Sequence, residues 1–361
     1  MPELVSVPRF ASIYDFGHEE LSTAISDLGE PSYRAEQVWQ WLYRHCASDY
    51  QEMTNLPKSF RDKLSEQFPF PNPELAATQE SSDGNTLKIL FRLSDGNFIE
   101  TVLMRYRKRR TLCISTQAGC AMGCVFCATG QMGFVRNLSV GEIVHQVIHF
   151  ARELLANEDR LTNIVVMGMG EPLHNYNNTL AAVDIFTDST GFKMGARKIT
   201  ISTVGLVPAI RRFADEGRQI RLAISLHAAS DEERGRLIPA AKRWPLAQLM
   251  DSARYYVAKT GRRISFEWAL ISEENDTPED ARKLGNLLQG LMCHVNLIPL
   301  NPTKEYGGRP SSTSRVSAFQ EELERFGVSS TVRVRRGIDI QAGCGQLRDR
   351  ELQVDNSQSD S

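Results

Sequence analysis

The sequence lacks the features that mark membrane-embedded and secreted proteins. No run of about 18 or more consecutive apolar residues occurs in the chain, so the sequence predicts no membrane-spanning helix. The opening stretch MPELVSVPRFASIYDFGHEE has no basic segment followed by an apolar one, and it predicts no signal peptide. We therefore expect a cytoplasmic protein without a membrane partner.

Cysteine is scarce and unevenly placed. The chain has seven cysteines in 361 residues, and this odd number argues against the disulfide framework of a small secreted protein. Three of them lie within QAGCAMGCVFCATG (117–130), whereas Cys46, Cys113, Cys293 and Cys344 are isolated. The pattern favours a reducing compartment and thiols that bind a metal or react.

An overall positive charge is also missing, since the formal net charge is −2. Basic residues are nevertheless clustered in MRYRKRRT (104–111), at 333–336 and at 242–243. A solvated charged face explains any single cluster. Because two clusters precede the isolated Cys113 and Cys344, we expect a polyanion near these cysteines.

The first part of the chain reads as helical. Apolar periodicity predicts three helices within residues 18–67, and the second should bury Ala35, Val38, Trp41 and Leu42 on one face. The proline-rich stretch 69–75 predicts a linker. Two β-rich runs around an Asp-Gly pair predict a hairpin over about residues 86–106.

From residue 111 onward, apolar β-branched runs alternate with helical patterns, which predicts six βα units and a last strand. Eight units would close a full barrel, so six predict an α/β fold with a partial (βα)6 barrel. The predicted regions are a helical accessory domain (1–75), a hairpin with a basic linker (76–110), the barrel (111–347) and a disordered polar tail (348–361). Ser139 and Glu142 predict a capping box at the start of the first long barrel helix.

Small and polar residues follow nearly every predicted strand, where β/α barrels place their chemistry. Each alone is ordinary turn chemistry, but together they outline one cup-shaped site. The spacing of Cys120, Cys124 and Cys127 provides three ligands where zinc and cubane sites normally use four. The nearest histidine, His145, falls inside a predicted helix. The spacing favours an iron–sulfur cluster with one open iron over zinc.

These cysteines resemble those of the radical S-adenosylmethionine superfamily, whose three thiolates hold a [4Fe–4S] cluster that binds S-adenosylmethionine at its open iron. YRAEQVWQWLY, CISTQAGCAMGCVFCATG, MGMGEPLHN, ISLHA and QAGCGQL narrow the resemblance to the RlmN/Cfr family of RNA adenosine methyltransferases. The resemblance implies a radical S-adenosylmethionine fold, a set of site residues and methylation of an RNA adenosine. The residues that it assigns to the S-adenosylmethionine site are Gly170, Glu171, Ser202, Ser225, Leu226, His227 and Asn301.

The same resemblance assigns three reactive residues. Cys344 is expected to carry a methyl group taken from one S-adenosylmethionine, while a second supplies the radical that activates it. Cys113 is expected to resolve the protein–RNA adduct through a transient disulfide with Cys344. Glu100 matches a position assigned as proton acceptor. Direct displacement would fail at carbon 2 or carbon 8 of adenine, which are not nucleophilic, whereas a radical adds to the ring.

The implied partners are 23S ribosomal RNA, transfer RNA and an external one-electron reductant, and we expect a monomer. The accessory domain and the basic run 105–110 are expected to flank the cup and bind RNA phosphates, and the target base to unstack into the cup. Methylation of carbon 2, as in RlmN, is favoured over methylation of carbon 8, as in Cfr. A radical activase of a protein partner and a zinc-containing RNA-binding protein remain alternatives.

Overall fold

The computed structural model describes residues 12–71 and 73–347. The predicted tail over 348–361 and the first eleven residues of the predicted accessory domain lie outside this range. No helix in the described part of the chain is long and apolar enough to cross a membrane.

The N-terminal part is helical, as predicted. Its long helices are α1 (His18–Asp27), α2 (Tyr33–Tyr43) and α3 (Lys58–Gln67), and short 3-10 turns occupy Ile13–Asp15 and Tyr50–Glu52. The buried face of α2 differs from the prediction, since it includes Trp39 and Tyr43 but not Trp41. Trp39 is buried, whereas Trp41 is only half-buried and its indole donates a 2.6 Å hydrogen bond to Asn55. Trp39 lies four residues after Ala35, which puts it on the same helix face.

The predicted hairpin is confirmed as β2 (Thr86–Arg92) and β3 (Phe98–Tyr106), but it has a third strand, β1 (Glu74–Glu80), paired antiparallel to β2. β1 begins inside the predicted linker 69–75. Most of its residues are exposed or half-buried, so the strand lacks the apolar alternation that sequence patterns detect.

The predicted six βα units and last strand are confirmed. The parallel strands lie side by side in chain order after β3 in one ten-stranded sheet. They are β4 (Arg109–Cys113), β7 (Asn163–Val166), β8 (Ile199–Thr203), β9 (Arg221–Ser225), β10 (Ile264–Leu270), β11 (Cys293–Pro299) and β12 (Ser330–Val332). A small separate sheet pairs β5 (Gln117–Gly119) with β6 (Phe134–Asn137).

Helices cover the outer face of the parallel strands, whose central residues Ile164, Ile201, Leu222 and Val295 are fully buried. These helices are α5 (Val140–Ala156), α6 (Tyr176–Thr187), α7 (Val207–Asp215), α8 (Asp231–Leu237), α9 (Leu246–Thr260), α10 (Pro278–Leu288) and α11 (Thr313–Arg325), whereas the short α4 (Ala128–Met132) follows Cys127 and contacts β5. The predicted capping box at Ser139 and Glu142 opens α5. Because the strands are parallel, their carboxyl ends meet at one rim, where the site residues collect.

Candidate active site

The loops after the carboxyl ends of the parallel strands enclose a cavity of 160 Å³, which we call the cup. Three of the predicted site residues, Leu226, Cys113 and Glu100, are not part of its lining. The predicted site residues that do line it are Cys120, Cys124, Cys127, Gly170, Glu171, Ser202, Ser225, His227, Asn301 and Cys344.

The three-cysteine loop is held by the small sheet of β5 and β6. Gly119 ends β5 with a φ of 72°, and a side chain there would overlap the carbonyl of Gly133. This close approach lets the Cys120 N–H donate a 2.7 Å hydrogen bond to the Gly133 carbonyl, which closes the base of the loop. Gly130 is also required, because a Cβ there would lie 2.8 Å from the backbone nitrogen and oxygen of Cys124.

Burial favours the neutral form of each thiol in this loop. It raises the pKa of Cys120 to about 12. Burial, followed by the charges of Cys127 and Cys120, raises the pKa of Cys124. Burial also raises the pKa of Cys127, although the backbone N–H groups of Gly130 and Thr129 oppose it. Three thiolates therefore become stable here only when a cationic group binds them and releases the protons.

The donor set fits an iron–sulfur cluster. Within residues 12–71 and 73–347, no three His, Cys, Asp or Glu side chains are arranged to hold a single metal ion. A cubane cluster does not need three side chains around one metal ion, because each of its irons takes a separate protein ligand. Thiolates are soft ligands and suit these irons. Two other possible ligands in the cup, Glu171 and His227, already accept backbone hydrogen bonds.

Glu171 forms a buried wall of the cup. Its carboxylate accepts hydrogen bonds from the backbone N–H groups of Leu173 at 3.0 Å and Val204 at 2.8 Å. Burial nevertheless raises the pKa of Glu171 to about 7. Gly170 precedes it with a φ of 104°, and a Cβ there would lie 2.6 Å from the side chain of Gln117. The loop after β7 can therefore follow this path only with glycine.

His227 is a neutral imidazole that lines the cup beside Phe126, with ring centroids 4.8 Å apart. Its Nδ1 accepts a 2.8 Å hydrogen bond from the backbone N–H of Ala269, so its proton lies on Nε2. Burial, with a contribution from the charge of Arg234, lowers the pKa of His227 to about 3. The ring is thus a fixed neutral donor at neutral pH.

The loop after β12 brings Cys344 to the cup and is tied to neighbouring loops. The amide of Asn301 donates to the Cys344 carbonyl at 3.1 Å, and Asn301 Oδ1 accepts from Arg335 at 3.2 Å. The Ala128 N–H donates to the Gly345 carbonyl at 2.7 Å. Asn301, which is expected to contact S-adenosylmethionine, lines the cup, and its amide also holds the Cys344 loop beside the three-cysteine loop.

The two isolated cysteines that are expected to react differ in exposure. Cys344 is exposed, whereas Cys113, the last residue of β4, is buried. Burial raises the pKa of Cys113 to about 12, and a negative charge on Cys344 adds to this effect. The two sulfurs are therefore close enough to interact electrostatically, and both are free thiols.

Two charged residues near these sulfurs were missed as site residues. Arg333 lines the cup, and its guanidinium lies 3.5 Å from the carboxylate of Glu267 in β10. Burial opposes the charge on Arg333, but Glu267, Cys344 and Cys113 favour it and the net effect raises its pKa. The basic run 333–336 pointed toward Arg333, whereas nothing in the sequence of β10 singled out Glu267.

A third site residue that the sequence did not point to, Arg234, connects the carboxyl ends of β8 and β9. It is 1% exposed, and its guanidinium donates to the carbonyls of Leu226, at 3.2 Å, of Ser225, at 3.3 Å, and of Val204. Burial lowers the pKa of Arg234 to about 10, although a charge on Cys124 opposes this. It fixes the backbone on which Ser225 lies, 3.4 Å from Ser202 between their hydroxyl oxygens.

Glu100 lies in β3, behind the cup. Its carboxylate is 2.8 Å from the ammonium group of Lys88, and both side chains are buried. The Lys88 ammonium also donates to the carbonyl of Gln341, at 3.5 Å, in the Cys344 loop. The structure thus places Glu100 one side chain away from the Cys344 loop.

The basic run 104–111 spans the turn between β3 and β4, and β4 begins at Arg109 and ends at Cys113. One side of the run contacts the segment that leads from β12 to Cys344, since Arg336 lies 4.4 Å from the Tyr106 ring and donates to the Arg105 carbonyl at 3.4 Å. Lys108 and Arg109 lie at the amino end of β4, away from Cys113. Two of its members are paired, Arg110 with Asp159 at 2.6 Å and Arg105 with Glu80 at 3.4 Å.

Comparison with known proteins gives two family matches. Residues 11–69 match the ribosomal RNA large subunit methyltransferase N-terminal domain, and residues 114–285 match the radical SAM superfamily. The chain is 55% identical over 340 residues to "Dual-specificity RNA methyltransferase RlmN 1" of Myxococcus xanthus, covering 94% of each chain. It is 46% identical to a probable RlmN of Clostridium perfringens, covering 93% of this chain and 96% of that one.

A solved structure is similar over the same extent. The crystal structure of a radical SAM methyltransferase from Sphaerobacter thermophilus superposes with a TM-score of 0.90 at 48% sequence identity. The match covers 93% of this chain and 99% of that one.

Proposed function

The chain belongs to the RlmN family of radical S-adenosylmethionine RNA methyltransferases, and from this premise we propose that it methylates carbon 2 of adenosine in 23S ribosomal RNA and in transfer RNA. The observation that carries the proposal is the meeting of the three-cysteine loop, Glu171 and Cys344 in one cup. The expected targets are an adenosine of the peptidyl transferase centre and the adenosine 3′ of the anticodon. The RNA methyltransferase names of the relatives support RNA as the substrate, which leaves the activase and zinc-protein alternatives without support.

Cys120, Cys124 and Cys127 would hold a [4Fe–4S] cluster as thiolates, and S-adenosylmethionine would take the place of a fourth ligand. When bound, the cluster and S-adenosylmethionine supply a 5′-deoxyadenosyl radical at the expense of one electron from an external reductant. Two S-adenosylmethionine molecules are used in each turnover, one for the radical and one for the methyl group.

The walls of the cup would bind and orient S-adenosylmethionine. Gly170 lines the cup beside Glu171, the residue expected to receive the methionine amino group. The hydroxyl groups of Ser202 and Ser225 and the Nε2–H of His227 are polar contacts for the rest of the molecule. Leu226 is fully buried and its backbone N–H and carbonyl are bonded to Glu267 and Arg234, so it would act by holding its neighbours Ser225 and His227 in place.

Cys344 would act as the methyl carrier. Its thiolate takes a methyl group from S-adenosylmethionine by displacement, and the sulfur-bound carbon, after losing one hydrogen atom, forms a bond to carbon 2 of adenine. Its exposure in the wall of the cup allows it to meet both partners. Transfer of the carbon 2 proton to Glu100, together with return of the adduct's unpaired electron to the bound cluster, would restore the aromatic ring.

Cys113 would then release the product. Its thiolate attacks the Cys344 sulfur, a sulfur–sulfur bond forms, and the carbon–sulfur bond breaks with its electron pair going to carbon, which takes up a proton. The disulfide must afterwards be reduced by an external thiol. The proximity of Cys113 to Cys344 and Arg333 supports this role, since a nearby cation favours the thiolate.

The test is nucleoside mass spectrometry after reaction of the anaerobically reconstituted protein with RNA, S-adenosylmethionine and reductant. We expect 2-methyladenosine from the native protein and none from Cys344→Ala, with Cys293→Ala as a control for loss of a thiol outside the cup. Formation of 8-methyladenosine instead would indicate Cfr-type chemistry. Full activity of Cys344→Ala would contradict the carrier role.

A further inference from the structure

A second concave surface lies at the amino ends of the parallel strands, opposite the cup. We call it the basal groove; its volume is 520 Å³. The end of α2, the turn between β3 and β4, the segment between α5 and β7, and the loop before β8 form its walls. Six exposed cationic residues and no acidic ones line it, and the six are Arg44, Lys108, Arg109, Arg160, Lys193 and Lys198.

These six cations have no acidic partners. In the described part of the chain, none of them forms an ion pair, although Arg109 stacks on the ring of Tyr106 at 4.3 Å. Two carboxylates in the neighbouring segments are engaged with other residues. Asp159 is paired with Arg110, and Asp188 accepts from Trp39 at 2.9 Å.

This concentration of charge is unusual for the chain. The formal net charge is −2, yet four separate elements bring six like charges to one concavity. Like charges held together destabilise a fold unless an anion binds between them. The exposed Gly195 also lines the groove and adds no side chain to it.

Spacing favours an extended polyanion over a single anion. The groove crosses the starts of β4, β7 and β8, and adjacent strands lie about 4.8 Å apart, so it spans on the order of 10 Å. That length corresponds to roughly three base steps at about 3.4 Å each along one RNA strand. Lysine and arginine side chains set around such a path are typical of sequence-independent phosphate contacts.

Position then distinguishes an RNA arm from other anionic partners. Four residue steps separate Arg109 at the groove from Cys113 near the cup, which is about 13 Å along β4. A single loop inserted in the cup would not fill the groove at the other end, but a folded RNA with a second arm reaches both. An acidic electron-transfer protein has to approach the cysteine loop, which lies at the cup end.

We propose that the basal groove binds the phosphate backbone of a second arm of the folded RNA whose target loop occupies the cup. This inference rests on the proposed function for the identity of the RNA. It adds a contact surface remote from the reacting base, which would favour whole folded RNA over an isolated stem-loop.

The test compares a full-length transfer RNA transcript with its isolated anticodon stem-loop, using the reconstituted full-length protein. The variant is Lys108→Gln/Lys193→Gln/Lys198→Gln, and the control, with the same change in net charge, is Arg254→Gln/Lys259→Gln/Arg325→Gln on the outer helices. The control residues are about half exposed or more and lie in surface ion pairs, which contribute little.

We expect the groove variant to bind transfer RNA at least about tenfold more weakly near 0.15 M salt, with the slope of log K against log salt reduced by about 2 to 3. Its affinity for the stem-loop should stay within about twofold of the native value, and the control should match the native protein on both RNAs. Unchanged affinity for transfer RNA, or an equal loss on both RNAs, would overturn the proposal.

Methylation by the native protein is measured in parallel, so that the two proposals fail separately. If the native protein methylates transfer RNA and the groove variant still binds it normally, only the groove assignment is wrong. If the native protein methylates neither RNA, the transfer RNA part of the proposed function fails, whatever the binding data show.

Discussion

The two ends of the parallel strands differ in how their polar and charged side chains are placed. At the carboxyl ends, polar and ionisable side chains are buried and bonded to the backbone, as Glu171, His227 and Arg234 illustrate. At the amino ends, cations such as Lys193 and Lys198 stand in solvent without ion pairs in the described residues. The first arrangement orients a small ligand and excludes water. The arrangement at the amino ends, with exposed cations, suits a large and flexible polyanion that folds independently of the protein.

This contrast has an energetic consequence. A change at the cup end should disturb the fold as well as the chemistry, because each group there is part of a packed network. A change at the opposite end should leave the fold intact and affect only what binds. Matched substitutions at the two ends can therefore break or sharpen the comparison.

The largest difference is expected between two glycines in the left-handed region. Gly170→Ala at the cup end places a Cβ 2.6 Å from Gln117, whereas Gly217→Ala, in the loop before β9, meets nothing within 4 Å. We expect the first to cost about 3 to 5 kcal/mol from overpacking plus backbone strain, and the second about 1 kcal/mol from strain alone. Urea denaturation of the metal-free proteins measures both, and equal costs would contradict the packing argument.

Arginine substitutions give the next largest effect. Arg234→Met removes the donor to the buried carbonyls of Val204 and Leu226, and we expect a loss of about 3 kcal/mol of unfolding free energy. Arg160→Met, at the basal groove, should change it by less than about 0.5 kcal/mol. Chemical denaturation at neutral pH measures both variants. If Arg234→Met lowers the unfolding free energy by less than about 1 kcal/mol, the carboxyl ends of β8 and β9 are stable without this arginine.

A smaller difference between the two ends is expected in how the unfolding free energy depends on pH. The folded protein holds the pKa of His227 near 3, against an ordinary 6.5, so the unfolded chain takes up the proton first. The stability from His227 is therefore full above pH 6.5 and is lost as the pH falls toward 3, at up to about 1.4 kcal/mol per pH unit.

In His227→Gln, the slope of unfolding free energy against pH between 5 and 6.5 should fall by that amount. Lys198→Gln should not alter the slope, since lysine keeps its charge throughout this range. An unchanged slope in His227→Gln would mean that the imidazole is not buried in its neutral form.

Much of the fold could be predicted from the sequence because its signals are local. The apolar β-branched runs gave every parallel strand, and the Ser139 and Glu142 pair gave the start of α5. β1 could not be predicted, since its seven residues are largely exposed and the strand exists only through pairing with β2. Trp39 and Trp41 were confused because both lie close to the apolar stripe of α2.

The site residues also divide into those that the sequence locates and those that it does not. Residues within short motifs, such as Cys120 and Glu171, could be located at the cup from sequence. Glu267, Arg234 and the basal groove could not, because each depends on elements that are distant in the chain. The position of the run 105–110 is predictable only in part, since proximity to Cys113 in sequence gives no account of the length and direction of β4, which put Lys108 and Arg109 at its amino end.

The central claim is that Cys344 carries the carbon and Cys113 releases it. The most direct measurement is peptide mass spectrometry of the Cys113→Ala protein after reaction with RNA, S-adenosylmethionine and reductant under anaerobic conditions. The account predicts a peptide in which Cys344 is joined through one carbon to an adenosine, and this adduct should be much less abundant with the native protein. Normal release of methylated RNA by Cys113→Ala, with no nucleotide-linked peptide, would contradict it.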